Sequence, residues 1–340
     1  MNYPKKINLK KNLGQTYGMH RSGWNYAMGS LVELHNDEGT LLESFIEKKF
    51  VWGQEPGERQ NKPKPIEKPW VGFVHCPPNI PNWFTNRESA PQHIFNTELW
   101  KKSFPYCKGL FCLSNYLKEY LQKKLDVPIV SLLHPTEDPK IKFTMENFLC
   151  NKDRGIVRVG WWLRKLNSIY LLKLKNLEKY VLNPCKGTYD LERKERAMLN
   201  LEIDEIYYRL VRLLPNRVNL KIGKYKTRKI DFLSNKYYDF FLSKNIVLMD
   251  LWDSSANNTI IECITRNTPV LTCHLPAVEE YLGKDYPFYF NSLQEASRKS
   301  EDIGLIEETH IYLKSHPIKK KLTSEYFSKS FAESEIYENL

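Results

Sequence analysis

The sequence predicts an α/β protein of two domains, each a parallel sheet covered by helices. Three observations carry that expectation. The chain has 340 residues, of which 41% are hydrophobic and 13% aromatic, which is material for two packed cores. Its second half alternates short β-rich runs with amphipathic helical runs. Its first half does the same less regularly.

In the second half the strand candidates are 156–161, 180–184, 219–223, 246–251, 269–273 and 287–290. Between them Ile203, Ile206, Tyr207, Leu210, Leu213 and Leu214 recur at the spacing of one helix face, and Pro215 ends the run. A sheet built this way binds ligands at the carboxyl ends of its strands. In the first half the candidates are 41–46, 70–75, 109–114 and 128–134, with 115–125 as a crossover helix. The opening stretch INLKKNLG is too charged for a strand buried on both faces, so no strand is expected there. The polar, proline-bearing segment 136–153 reads as the linker between an N-terminal domain (1–135) and a C-terminal domain (154–315). The segment 53–69, rich in Pro, Gly, Lys and Glu, reads as a long loop.

A formal charge of +11 raises the question of an anionic partner. The cations are scattered among acids, and there is no arginine-rich arm, RNA-binding sheet signature or zinc finger, so nucleic acid is the weaker candidate. A basic surface that collects nucleotide-sugars, or faces an anionic glycan or membrane, explains the charge equally well. The seven cysteines are widely spaced and form no zinc-ligand pattern, which points to buried thiols and no metal. No run reaches the ~18 apolar residues of a membrane span, and the N-terminus lacks a secretory apolar stretch. A cytoplasmic, soluble protein is expected.

The most informative segment runs from Asn245 to Tyr289. A buried strand ends near Asp250, the small polar loop WDSSANN follows, and a helix opens near Asn257. Unpaired N–H groups and the dipole at that helix start suit a diphosphate. Ser254, Ser255, Asn257, Asn258 and Thr259 add small donors, the two serines on the side of the donor sugar. Glu262, one turn in, is placed to accept hydrogen bonds from ribose hydroxyls. The same residues also suit an ordinary capped helix with Asn258 and Glu262 solvated. In the first half, the apolar run Val71 to Val74 ends at His75 before two prolines, which would deliver a histidine to a crevice as proton shuttle or sugar-hydroxyl partner. Trp83 is a candidate for stacking on an acceptor sugar, although aromatic residues in such loops commonly serve as packing anchors.

The run from Ser254 to Glu262, the Thr-Pro-Val-Leu strand after it and the segment LPAVEEYLG together resemble the donor site of family 4-like glycosyltransferases of GT-B fold. In that group two glutamates eight positions apart flank the helix start. Glu262 matches the second, and Ser254 stands where the first is expected. The segment RGIVRVGWWLRKLNSIYLL is similar to the first strand and loop of the GT-B C-terminal domain, which implies that Gly160 lets the backbone approach the donor while Arg164 and Lys165 neutralise its phosphates. The segment GQTYGMHRSGWNYAM resembles the first loop and helix of GT-B acceptor domains, which implies a catalytic-side His20 and an acceptor-side Arg21.

The resemblance further implies two Rossmann-like domains facing a cleft and a terminal segment, 316–340, that crosses back to the first domain. It implies transfer of a sugar from a nucleotide-sugar to a glycan, lipid-linked or protein acceptor, leaning towards retention, with no cofactor or metal. Two other readings stay open: a glycosyltransferase acting on nucleic-acid bases, and a non-catalytic nucleotide- or glycan-binding protein on the same scaffold.

Overall fold

The computed structural model describes residues 3–10, 23–52, 64–182, 227–230 and 232–340. The predicted helix around residues 203–214, the predicted strand 219–223, and both His20 and Arg21 lie outside these residues.

Two parallel sheets form the frame. The N-terminal sheet runs β1 (Ile7–Asn8), β2 (Thr40–Glu43), β3 (Trp70–Val74), β4 (Cys107–Cys112) and β5 (Ile129–Ser131), side by side in sequence order. The C-terminal sheet contains β6 (Gly155–Val159), β7 (Glu178–Leu182), β8 (Arg228–Ile230), β9 (Ile246–Met249), β10 (Val270–Cys273) and β11 (Tyr289–Phe290), in the order β11-β10-β9-β6-β7-β8. Because β6 lies between β7 and β9, the strand order reverses at β6. The connections from the carboxyl ends of β6 and its neighbour β9 lead in opposite directions, to β7 and to β10, and open a crevice between them.

The strands are apolar because both faces are covered. On one side of the N-terminal sheet Trp70, Leu110, Leu117, Leu121 and Trp100 pack together. On the other, Phe73 and Phe111 meet Phe327, Phe331 and Ile336. Those last three belong to the terminal helices Ser324–Ala332 and Glu335–Glu338, so the end of the chain packs on the first domain. In the C-terminal domain Ile156, Val247 and Leu271 pack with Ile260 and Ile264 of the helix Asn258–Arg266.

Two expectations need correction. The charged opening does form a strand, β1, but as a two-residue edge in which Ile7 is buried, with buried Leu9 just after it, and an edge strand need not be apolar on both faces. The expected linker 136–153 is partly core: it holds the helix Met145–Cys150, and Phe143 and Phe148 are buried in the second domain's interior. Glu280 is an interdomain contact. Its two carboxylate oxygens accept from the backbone N–H groups of Asn115 (2.6 Å) and Tyr116 (2.7 Å), at the start of the helix Asn115–Gln122 in the other domain.

Candidate active site between the two sheets

A cavity of about 500 Å³ lies where the carboxyl ends of the two sheets face each other. Its C-terminal wall begins at the end of β6. Gly160 has φ 72°, a left-handed conformation that a side chain would strain, and it lines the cavity as backbone alone. The chain then turns through Leu163, itself at φ 53°, and brings Arg164 back over the strand end. The Arg164 guanidinium donates to the carbonyls of Val159 (3.2 Å) and Trp162 (2.5 Å) and to Thr259 Oγ1 (3.3 Å), which fixes it against the helix start. Burial, followed by the nearby positive charge of Arg158, pushes its pKa down to about 10. An arginine stays charged at that value, so the depression marks a place where an anion would be welcome.

The loop from Asp253 to Asn257 and the first turn of the 258–266 helix complete this wall. Asn257 caps the helix by accepting from the Ile260 N–H at 3.3 Å. The N–H groups of Asn258 and Thr259 precede the helix's own ladder, and both residues line the cavity. Glu262 is buried yet lines the cavity. One of its oxygens accepts from the Tyr238 hydroxyl at 2.8 Å and lies 3.8 Å from Arg266, whose guanidinium is in turn held by Asp239 at 2.6 Å. Burial pushes the Tyr238 pKa well up, so the phenol remains a donor. Leu182, Phe232 and Leu233 extend the same end of the cavity with apolar surface.

The N-terminal wall is aromatic. His75 follows β3 and is stacked on Phe45, with ring centroids 4.0 Å apart and planes 7° from parallel. Trp24 meets it edge-on at 4.4 Å, and Trp52 packs on Phe45 at 5.0 Å. Behind the imidazole is Glu47, fully buried. Asp253 ties the two walls together by accepting from the Asn79 N–H (2.9 Å) and the Tyr116 hydroxyl (3.0 Å), and Ser255 Oγ lies 3.2 Å from Ser114 Oγ. Burial pushes the Asp253 pKa up against these hydrogen bonds.

The structure thus gathers Gly160, Arg164, Ser254, Ser255, Asn257, Asn258, Thr259, Glu262 and His75 around one cavity. Two candidates fall elsewhere. Lys165 is directed to the buried Asp250, 2.9 Å away, and its ammonium lies 5.4 Å from the centroid of the Trp252 ring. A carboxylate buried under the loop takes the cation that the sequence offers to a phosphate. Trp83 packs against Trp252 and Phe84 in a small apolar cluster, as an anchor and not as part of the cavity lining. Sequence reasoning missed Glu47 and Tyr238, and passed over Trp24, Phe45 and Asp253 inside segments it did single out.

Comparison with solved structures fixes the architecture. The chain has the GT-B fold. A sucrose-phosphate synthase from Thermosynechococcus elongatus matches with a TM-score of 0.59 at 10% identity, over 86% of this chain and 72% of that one. A UDP-forming trehalose-phosphate synthase from Burkholderia xenovorans matches with a TM-score of 0.53 at 12% identity, over 91% and 77%. Anabaena HepE, solved with UDP-glucose, matches with a TM-score of 0.51 at 12% identity, over 78% and 71%. No protein-family model and no curated protein sequence matches the chain. No helix among the described residues is long and apolar enough to cross a membrane.

Proposed function

We propose that this GT-B protein is a glycosyltransferase that takes a sugar from a nucleoside-diphosphate donor and passes it to a hydroxyl of a glycan, lipid-linked or protein acceptor. The observation that carries the reading is the single cavity shared by Arg164, the capped helix start at Asn257–Thr259, Glu262 and, opposite them, His75. The helix start and Arg164 would hold the diphosphate, Glu262 the ribose, and the apolar end at Leu182 and Leu233 the base. The acceptor oxygen bonds to the anomeric carbon as its bond to the diphosphate oxygen breaks, and the electron pair leaves with the diphosphate. Arg164 and the helix dipole oppose that growing charge, which is the work a metal would otherwise do, so none is proposed. The resemblance to family 4-like enzymes favours retention. In that course the acceptor proton goes to the departing diphosphate, and His75 hydrogen-bonds a hydroxyl of the transferring sugar.

Ser254 favours a second reading, a nucleotide-binding protein without turnover, because a glutamate is expected at that position in the group it resembles. One experiment separates the two. A calorimetric panel of nucleotide-sugars, followed by a donor-hydrolysis and transfer assay on each binder, should find a donor that is both bound and consumed. Tight binding with no consumption in the presence of candidate acceptors supports the second reading, and no binding of any nucleotide overturns both.

A further inference from the structure

We propose that Glu47 is a positioning residue: it fixes the tautomer and plane of the His75 imidazole, so that Nδ1 carries the proton and Nε2 presents its lone pair for a substrate hydroxyl. The role rests on the function proposed for His75, but its first test does not depend on turnover. Glu47 is fully buried, on the segment that follows β2. Its Oε1 accepts from the backbone N–H groups of His75 and Cys76, each at 2.7 Å. Those two bonds satisfy one oxygen only. Oε2 is buried with no hydrogen bond among the described residues and lies 3.4 Å from His75 Nδ1. A buried carboxylate oxygen without a donor is costly, and the nearby imidazole nitrogen can supply one.

A carboxylate accepts and cannot donate, so the nitrogen facing it is the one that bears hydrogen. The ring is also held against rotation. Phe45 stacks on one face and Trp24 closes the edge, at 4.0 and 4.4 Å between centroids. With Nδ1 committed to Glu47, the acceptor site on the ring is Nε2, which is buried and has no hydrogen-bond partner among the described residues, an unmet acceptor that a hydroxyl entering the cavity would satisfy. The 3.4 Å separation is longer than a hydrogen bond, as is common where catalytic contacts tighten only when substrate binds. A purely structural Glu47 would need only the oxygen that bonds the two backbone amides. The second oxygen is what separates positioning from scaffolding.

The test begins with the wild-type protein. Nitrogen-15 spectra of histidine-labelled protein, with His75 assigned by its loss in His75→Gln, should report a neutral ring protonated at Nδ1. A ring protonated at Nε2 overturns the proposal whatever the activity. The second arm is Glu47→Gln, which keeps an oxygen for the two backbone amides but turns an NH₂ donor toward Nδ1. Its tautomer should reverse, and the transfer rate should fall roughly 10²-fold, the scale of losing one preorganised hydrogen-bond partner, with the loss in kcat and the donor KM little changed. A reversed tautomer with a rate within about twofold of wild type would remove the positioning role. If Glu47→Gln fails to fold, the wild-type spectrum still decides. A protein that transfers no sugar at all defeats the proposed function, while the tautomer result stands or falls by itself.

Discussion

The C-terminal wall of the cavity is assembled from two short stretches, Gly160–Arg164 and Asp253–Glu262, each a strand end followed by its own turn or helix. The N-terminal wall draws Trp24, Phe45 and His75 from three separate segments, with Glu47 behind them. One wall joins a polar stretch, Arg164 and Ser254 to Thr259, to apolar surface at Leu182, Phe232 and Leu233. The other is a stack of rings around one histidine. The contrast follows from what each would have to do: a diphosphate is met by donors of fixed direction, whereas a sugar ring is met by flat apolar surface and one exchangeable proton site. Each wall should therefore fail in its own way when it is altered.

The largest effect is expected at Arg164. Replacing it with alanine removes a donor fixed in place before charge develops on the leaving group, so the transfer rate should fall by about 10²- to 10³-fold, with weaker nucleotide binding beside it. Its neighbour supplies the control. Lys165→Ala should leave the rate within about twofold and instead lower the melting temperature, because the buried Asp250 loses its cation. Equal rate losses at 164 and 165 would show that the loop rearranges to bring both cations to the donor. Steady-state kinetics and thermal melts on the same preparations separate these outcomes.

On the opposite wall, His75→Ala should bind nucleoside diphosphate normally, since the proposed base and phosphate contacts lie on the other domain, while transfer falls ~10²-fold. A lower melting temperature with near-normal activity in the folded fraction would make His75 a core residue of the Phe45–Trp24 stack and nothing more. Taken together, Arg164→Ala and His75→Ala cross the two walls. Binding and rate should fall together in the first, rate alone in the second.

A smaller change sharpens the C-terminal side. Glu262→Gln keeps the shape but removes a charged acceptor, a loss of about 1.5 to 3 kcal/mol for hydrogen bonds to a charged group, or roughly tenfold or more in nucleotide affinity. Calorimetry with the nucleoside diphosphate and with the bare diphosphate checks the assignment. Only the ligand that carries a ribose should lose affinity. Equal loss for both would mean that the chain from Asp239 through Arg266 to Glu262 acts by holding the helix in place.

What could be read in the sequence divides along the same line. The strands β3, β4, β6, β9 and β10 are legible because burial on both faces demands unbroken apolar runs, and the polar loop before Asn257 stands out against them. Gly160, singled out through the resemblance, and Glu262, singled out from the helix start after β9, both line the cavity. Glu47 and Phe45 are not legible, because what places them beside His75 is the pairing of β2 with β3, and pairing is a tertiary fact. Lys165 misleads for the converse reason: its partner Asp250 is 85 residues away in sequence and beside it in space. The interdomain contacts of Asp253 and Glu280 depend on how two sheets meet, which no local pattern encodes.

The smallest effect is expected at that meeting, from Glu280. Its carboxylate accepts two backbone N–H bonds from the first domain, which would hold the carboxylic pKa down, yet burial outweighs them and raises it. A carboxyl whose folded pKa lies above its unfolded value gives stability that is fully present below the unfolded pKa and lost as pH rises through the folded one. Ionised Glu280 therefore fixes where the domains meet more than how strongly they hold. Glu280→Gln has one oxygen to offer in place of two, a loss that is the same at every pH, and it carries no titrating charge. The difference in melting temperature between wild type and Glu280→Gln should consequently shift in favour of wild type as the pH falls from neutrality through the carboxylate range. A shift in the opposite sense would mean that the ionised carboxylate is a net clamp, and the domains should then part more readily in acid. Paired melts across that range, with small-angle scattering at each end to follow the separation of the domains, distinguish the two.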